Sequence, residues 1–188
     1  MYFIPLPLSI QSTNIHMKYV PFLLFGLSLF LTQCDTGLQE AFIREASQKP
    51  VGVTRTDKGG GLIKSTNGTP IEEDKTDWRS APFYTGYVRF NPAFPNPISS
   101  GFVTIPVIVT ATDQLPNGLT LRGYNDQGRF ILLDEIGQTG LPGAYTFNFD
   151  ISLLSASGSV STIKGIHRLF IFDRLSGEMV SYGDLLVE

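Results

Sequence analysis

From Phe83 to Val187 no helical period is sustained for three turns; short apolar runs are instead punctuated by Gly, Pro, Asn and Asp at intervals of roughly 8–15 residues, the spacing of an all-β chain. The clearest run is Phe102 to Thr110. Val103, Ile105, Val107 and Val109 share one face and Thr104, Pro106, Ile108 and Thr110 the other, as a pleat of period two requires. Pro106 lacks a backbone donor, which predicts an edge strand or a bulge there. Further runs are read at Phe83–Phe90, Leu119–Tyr124, Phe130–Ile136, Ala144–Phe149, Ile166–Asp173 and Met179–Val187, with hairpin turns at Asn125–Gly128 and Arg174–Gly177 and a short helix at Ile151–Leu154. About seven strands in one domain of this length predict an immunoglobulin-like β-sandwich, with a small barrel as the alternative.

The N-terminal part has a different character. Lys18, an apolar run from Tyr19 to Leu31, and then Leu31-Thr32-Gln33-Cys34 have the layout of a secretory signal peptide. The apolar run is about 13 residues, short of the ~20 that span a bilayer as a helix. Ending on a cysteine, the stretch resembles a bacterial lipoprotein signal, matching the lipobox at Leu31 and Cys34 and departing from it at Gln33, where a small residue is usual. The resemblance implies diacylglyceryl transfer to the Cys34 thiol, cleavage before Cys34, acylation of the freed amine, and attachment to a membrane of the bacterial cell envelope. Residues 1–16 carry Pro5 and Pro7 and no charged side chain of the Lys, Arg, Asp or Glu type, so Met17 is the expected start. Cys34 is the sole cysteine of the 188 residues, which leaves no intrachain disulfide and no cysteine-based zinc site.

After Cys34 the chain carries 13 basic side chains (14 less Lys18) against 17 acidic ones, a net −4. Such a balance provides no electrostatic footprint for nucleic acid. Residues 34–77, rich in Gly, Thr, Lys, Glu and Asp, read as the lipidated cysteine and a flexible tether. Leu38, Ala41, Phe42 and Glu45 fall at helical spacing, but an isolated turn or two is marginal in water. A coil of ~40 residues would span roughly 35 Å. The domain expectation is therefore a signal peptide over 1–33, the tether over 34–77, and the sandwich over 78–188.

Within the sandwich, Phe94-Pro95-Asn96-Pro97 before an alternating strand, Tyr124-Asn125-Asp126-Gln127-Gly128-Arg129 across a hairpin, and Gly165-Ile166-His167-Arg168-Leu169 opening a late strand resemble the Ig-like domain of flagellar hook-capping proteins. They also resemble the C-terminal sorting domains of type IX secretion cargo. The resemblance covers roughly Tyr84 to Val187 and implies the sandwich fold. Asn125 stands where sorting tails commonly carry an acid, and the chain ends Leu185-Leu186-Val187-Glu188 rather than in a basic strand, so the sorting function is not carried over.

Catalytic chemistry finds little support. His167 is the sole histidine after Cys34; Ser181 or Ser176 would be its partner nucleophile, but no G-x-S-x-G elbow accompanies it. No carboxylates cluster at metal-ligand spacing: Asp134 and Glu135 point to opposite faces of a strand, Glu72-Glu73-Asp74 reads as a solvated run, and Asn125–Gly128 lacks the pattern of a calcium loop. No metal or cofactor is expected. The binding signal is aromatic: Trp78, Tyr84, Tyr87 and Phe94 crowd the start of the domain as candidate binding residues. The expected function is a non-enzymatic, lipid-anchored envelope lipoprotein whose Ig-like module contacts another envelope protein. The alternatives are a carbohydrate-binding surface lipoprotein using those aromatics and, less favoured, a hydrolase with His167 as base.

Overall fold

The run of alternating valines and isoleucines forms strand β2 (Phe102–Val109), whose Val103, Ile105, Val107 and Val109 are all buried. These positions come from a computed structural model that describes residues 36–111, 115 and 117–188; the expected signal segment and Cys34 lie outside the described residues. Strand β2 pairs antiparallel with β1 (Val88–Phe90) and β5 (Gly143–Asp150) to make a three-stranded sheet. The second sheet has four strands in the order β4-β3-β6-β7, with β3 at Leu119–Tyr124, β4 at Phe130–Ile136, β6 at Gly165–Asp173 and β7 at Met179–Val187. Ile105, Phe147 and Phe149 from the first sheet meet Leu121, Leu169, Ile171 and Leu185 from the second in one apolar core. The two sheets stay separate, so the chain is a β-sandwich and not a barrel. Its Greek-key order is that of the immunoglobulin constant type, except that the fourth strand pairs with the third.

Two local expectations change. The run Phe83–Phe90 begins as a single 3-10 turn at Pro82–Tyr84 and reaches strand geometry only after Gly86, whose φ of 88° turns the chain. Strand β2 is central rather than an edge. Pro106 is tolerated because it lies opposite Asn91, just past the end of β1: Asn91 donates to the Pro106 carbonyl at 3.0 Å, and the missing proline donor faces the break in the ladder. Beyond it the pairing slips by one residue, from Phe90↔Val107 to Phe94↔Thr104.

The larger correction concerns the expected tether. From Leu38 onward the chain belongs to the same compact unit as the sandwich. A helix, α1, runs over 36–46, and its Gln39, Phe42 and Ala46 are buried, the i, i+3, i+7 stripe of an amphipathic helix. The stripe lies on β7: the Phe42 ring sits 5.1 Å from that of Tyr182, and Gln39 Nε2 donates to the Met179 carbonyl at 3.1 Å. A helix too short to persist alone thus gains a partner, and burying one phenylalanine contributes about 1.5–3 kcal/mol. Further on, Val53, Thr54 and Thr56 are buried. Thr56 exchanges backbone hydrogen bonds with Asn96, and its hydroxyl donates to the Ala93 carbonyl at 2.6 Å. Asn96, fully buried, donates from Nδ2 to the Thr54 and Asp184 carbonyls and accepts from the Leu186 amide. The folded unit therefore starts about forty residues before Trp78, and past α1 it is held by polar anchors that leave no apolar periodicity to read.

Trp78 to Ala81 then runs along the free edge of β7. The Trp78 amide donates to the Tyr182 carbonyl at 2.9 Å and the Ala81 amide to Val180 at 2.8 Å. Trp78 has a φ of 58° and lays its indole against Gly183.

Candidate functional site

The aromatics expected to bind are dispersed by the fold. Trp78 and Tyr84 are buried in the core, where the Tyr84 hydroxyl donates to Glu178 at 3.1 Å. Tyr87 and Phe94 are half-buried on separate features: Tyr87 offers its carbonyl to Thr110, while the Phe94 ring closes over Gly60. No shared platform forms from the four.

A different aromatic group is exposed. Strands β3, β4 and β6 turn their out-of-phase side chains away from the core, and there Tyr124, Phe130, Phe170 and Phe172 meet. Tyr124 and Phe130 sit 4.8 Å apart at 42°, Phe130 and Phe170 5.7 Å apart at 69°, and Phe130 and Phe172 5.9 Å apart at 90°. Tyr124 is 53 % and Leu132 48 % exposed, so solvent rather than protein covers this part of the sheet. The cluster's mostly edge-to-face packing is the favourable geometry for rings, and it presents ring edges more than a flat stacking plane.

The reason for this exposure lies in the layers. On the outer face of the four-stranded sheet, α1 and the residues after it cover β7 and part of β6, while among the described residues β3 and β4 are left open. Between the two halves runs a groove of about 700 Å³, walled by the stretch from Ala46 to Pro50 on one side and by Tyr124, Phe130, Phe170 and Phe172 on the other. The charged side chains near the open half are mainly cationic. Lys49 lines the groove, the Arg122 guanidinium lies 5.9 Å over the Phe130 ring, and Arg174 stands 3.6 Å from Glu135. A sequence signal existed: Phe170 and Phe172 alternate with core Leu169 and Ile171, and outward-phase aromatics on a one-sided sheet mark exposed rings.

A second cluster joins the segment before Trp78 to the sheet. Carboxylate oxygens of Asp74, Asp77 and Asp184 lie within 4.8 Å of one another, and Asp184 is fully buried. Arg168 forms a bidentate pair with Asp184, through Nε at 2.8 Å and Nη2 at 2.6 Å. Its Nη1 donates to the carbonyls of Glu45, Ala46 and Gln48 at the C-terminal end of α1, and its guanidinium lies 4.8 Å over the Tyr182 ring. Asp77 accepts from the Thr54 amide at 3.1 Å and the Asp184 amide at 3.0 Å. Every oxygen of Asp77 and Asp184 thus has a protein donor, and the cluster acts as a latch between the N-terminal segment and β6–β7. In the run Glu72-Glu73-Asp74, Glu73 is exposed, as a solvated run requires, while Glu72 pairs with Arg55 at 2.9 Å and Asp74 accepts from Thr76.

Burial, and after it the charges of Asp184 and Asp74, push the Asp77 carboxyl up from 3.8 to about 8. Burial also raises Asp184, against the pull of Arg168. The folded protein therefore keeps a proton on Asp77 that the unfolded chain releases. Its contribution is fully present below about pH 4 and is lost as pH rises through about 8, at up to ~1.4 kcal/mol per pH unit. The urea midpoint is expected to fall between pH 5 and pH 8 in the wild type, and the slope to flatten in Asp77→Asn; equal slopes for the two proteins would refute this.

His167 and Ser181 have separate partners. His167 pairs across the ladder with Leu185 while Ser181 pairs with Ile171; the His167 ring bonds to the Ile163 carbonyl and the Ser181 hydroxyl donates to the Arg79 carbonyl. Among the described residues no helix is long and apolar enough to cross a membrane. Comparison with protein-family models, with curated proteins and with solved structures finds no match.

Proposed function

We propose that this chain is a non-enzymatic docking module of the bacterial cell envelope, held to a membrane by lipid on Cys34 and contacting another envelope protein through the open aromatic half of its four-stranded sheet. The observation that carries the reading is the cluster of Tyr124, Phe130, Phe170 and Phe172 on a sheet whose neighbouring half is covered by α1. Exposed apolar patches rimmed by polar groups mark interaction sites. A carbohydrate role loses support because Trp78 and Tyr84 are buried. The test is Phe130→Ser combined with Tyr124→Ser in the full chain. Recovery of a protein partner from its own envelope is expected to fall sharply while the thermal midpoint moves little; unchanged recovery would sink the docking reading.

The membrane part of the proposal rests on the lipobox-like stretch ending at Cys34. One acyl chain gives only marginal attachment, whereas two or three anchor stably. Cys34→Ser is expected to abolish both processing and membrane retention while the sandwich stays folded. Membrane fractionation with mass spectrometry of the N-terminus checks it; a Cys34→Ser protein that remains in the membrane fraction after normal cleavage contradicts the lipid anchor.

A further inference from the structure

The docking face just proposed has a neighbour that shows what this sheet accepts. On β7 the occupant is an amphipathic helix. Phe42 of α1 meets Tyr182 at 5.1 Å; three residues on, the Glu45 carboxylate accepts from the Tyr182 hydroxyl at 2.6 Å and pairs with Arg79, whose guanidinium lies 5.4 Å over the Phe42 ring. An apolar side chain followed by a carboxylate three residues later thus meets a ring and an arginine.

The open half offers the same kinds of group, rings and an arginine, although here the arginine stands on the sheet and over one of the sheet's own rings. It has rings at Tyr124, Phe130 and Phe170 and an arginine, Arg122, over Phe130 at 5.9 Å. Lys49 adds a second cation, and the nearby acid Glu135 is matched by Arg174. In a protein of net charge −3, this patch has the opposite sign and complements an acidic partner. The spacing also fits. Strands lie about 4.8 Å apart, so β3, two strands from β7 in the order β4-β3-β6-β7, lies ~10 Å from the strand under α1, and packed helices have axes 8–10 Å apart. A helix laid over β3 would pack on the sheet and against the stretch from Ala46 to Pro50 at once. The tilted rings favour inserted side chains over a stacked sugar.

Resting on the docking reading above, we propose that the open half of the sheet binds an acidic amphipathic helix of a partner protein, set beside α1, with a carboxylate reaching Arg122 and an apolar side chain entering the Tyr124–Phe130–Phe170 cluster.

The experiment places a benzoylphenylalanine photocrosslinker at Leu132 in the full chain, produced in its own cells, and sequences the crosslinked peptides. The expected product is a segment of another protein that carries an apolar residue with Asp or Glu three or four positions after it. Made as a synthetic peptide, that segment should gain helical circular dichroism on binding. Arg122→Glu should weaken peptide binding about tenfold, the loss of one charge-assisted contact, with an unchanged thermal midpoint. A protein crosslink to a segment that is basic, or that binds without becoming helical, overturns the helix proposal and leaves the docking role standing. Crosslinks only to lipid or saccharide, only to a second copy of this chain, or none at all overturn both. An Arg122→Glu protein that binds the peptide as the wild type does also overturns the charge-guided helix.

Discussion

Replacing Arg168 by methionine is expected to destabilise the domain by about 3–5 kcal/mol, the cost of breaking a buried ion pair from one side. Its partner Asp184 is fully buried and the Arg168 side chain is 11 % exposed, so methionine leaves a carboxylate with no counter-charge and Asp77 and Asp74 close by. Three carbonyls at the end of α1 lose their donor as well. Lysine should recover only part of the loss, because an ammonium cannot grip Asp184 in bidentate fashion and reach the helix end at the same time. The double change Arg168→Met with Asp184→Leu should be less damaging than Arg168→Met alone, since no buried charge is then left unpaired. Urea unfolding of the three variants decides it. A single variant within about 1 kcal/mol of wild type, well short of a buried-pair loss, would show that the latch is not a stabilising element.

Gly183→Ala is expected to cost roughly 3 kcal/mol, at the upper end of ordinary overpacking. A Cβ there would lie 2.2 Å from Trp78 Cε2 and 2.3 Å from Cδ2, far inside van der Waals contact. The indole has little room to withdraw, because Trp78 is 2 % exposed and its amide is tied to the Tyr182 carbonyl on the same strand. Trp78 is the sole tryptophan of the chain, so its fluorescence reports directly on the displaced ring. A wild-type emission spectrum together with a wild-type unfolding midpoint would contradict the close packing of Trp78 on Gly183.

The clearest strands were legible because they follow the simplest rule available to a half-buried strand, apolar side chains at every second position. Val103 to Val109 and Leu169 to Ile171 obey it. The segment before Trp78 does not. It is fixed by Asn96, Arg168, Asp77 and Asp184, whose partners lie as far as 123 residues away in sequence, and single polar residues at such separations form no pattern. The same physics misdirected the search for a binding surface. Trp78 and Tyr84 look prominent in a polar stretch, yet that stretch runs along the edge of β7 and turns them inward. Phe170 and Phe172, inside an apparently ordinary apolar strand, face outward instead. As a guide to which rings are exposed, density of aromatics was weaker than their phase relative to the core residues.

The early start of the folded unit shortens the leash. With order delayed until Trp78, a lipid on Cys34 would let the domain roam tens of ångströms above the headgroups. Gln39, the first buried residue of α1, is only five residues beyond Cys34, which even fully extended spans at most ~18 Å. A lipidated form of this protein would hold the start of its folded unit within about that distance of the membrane.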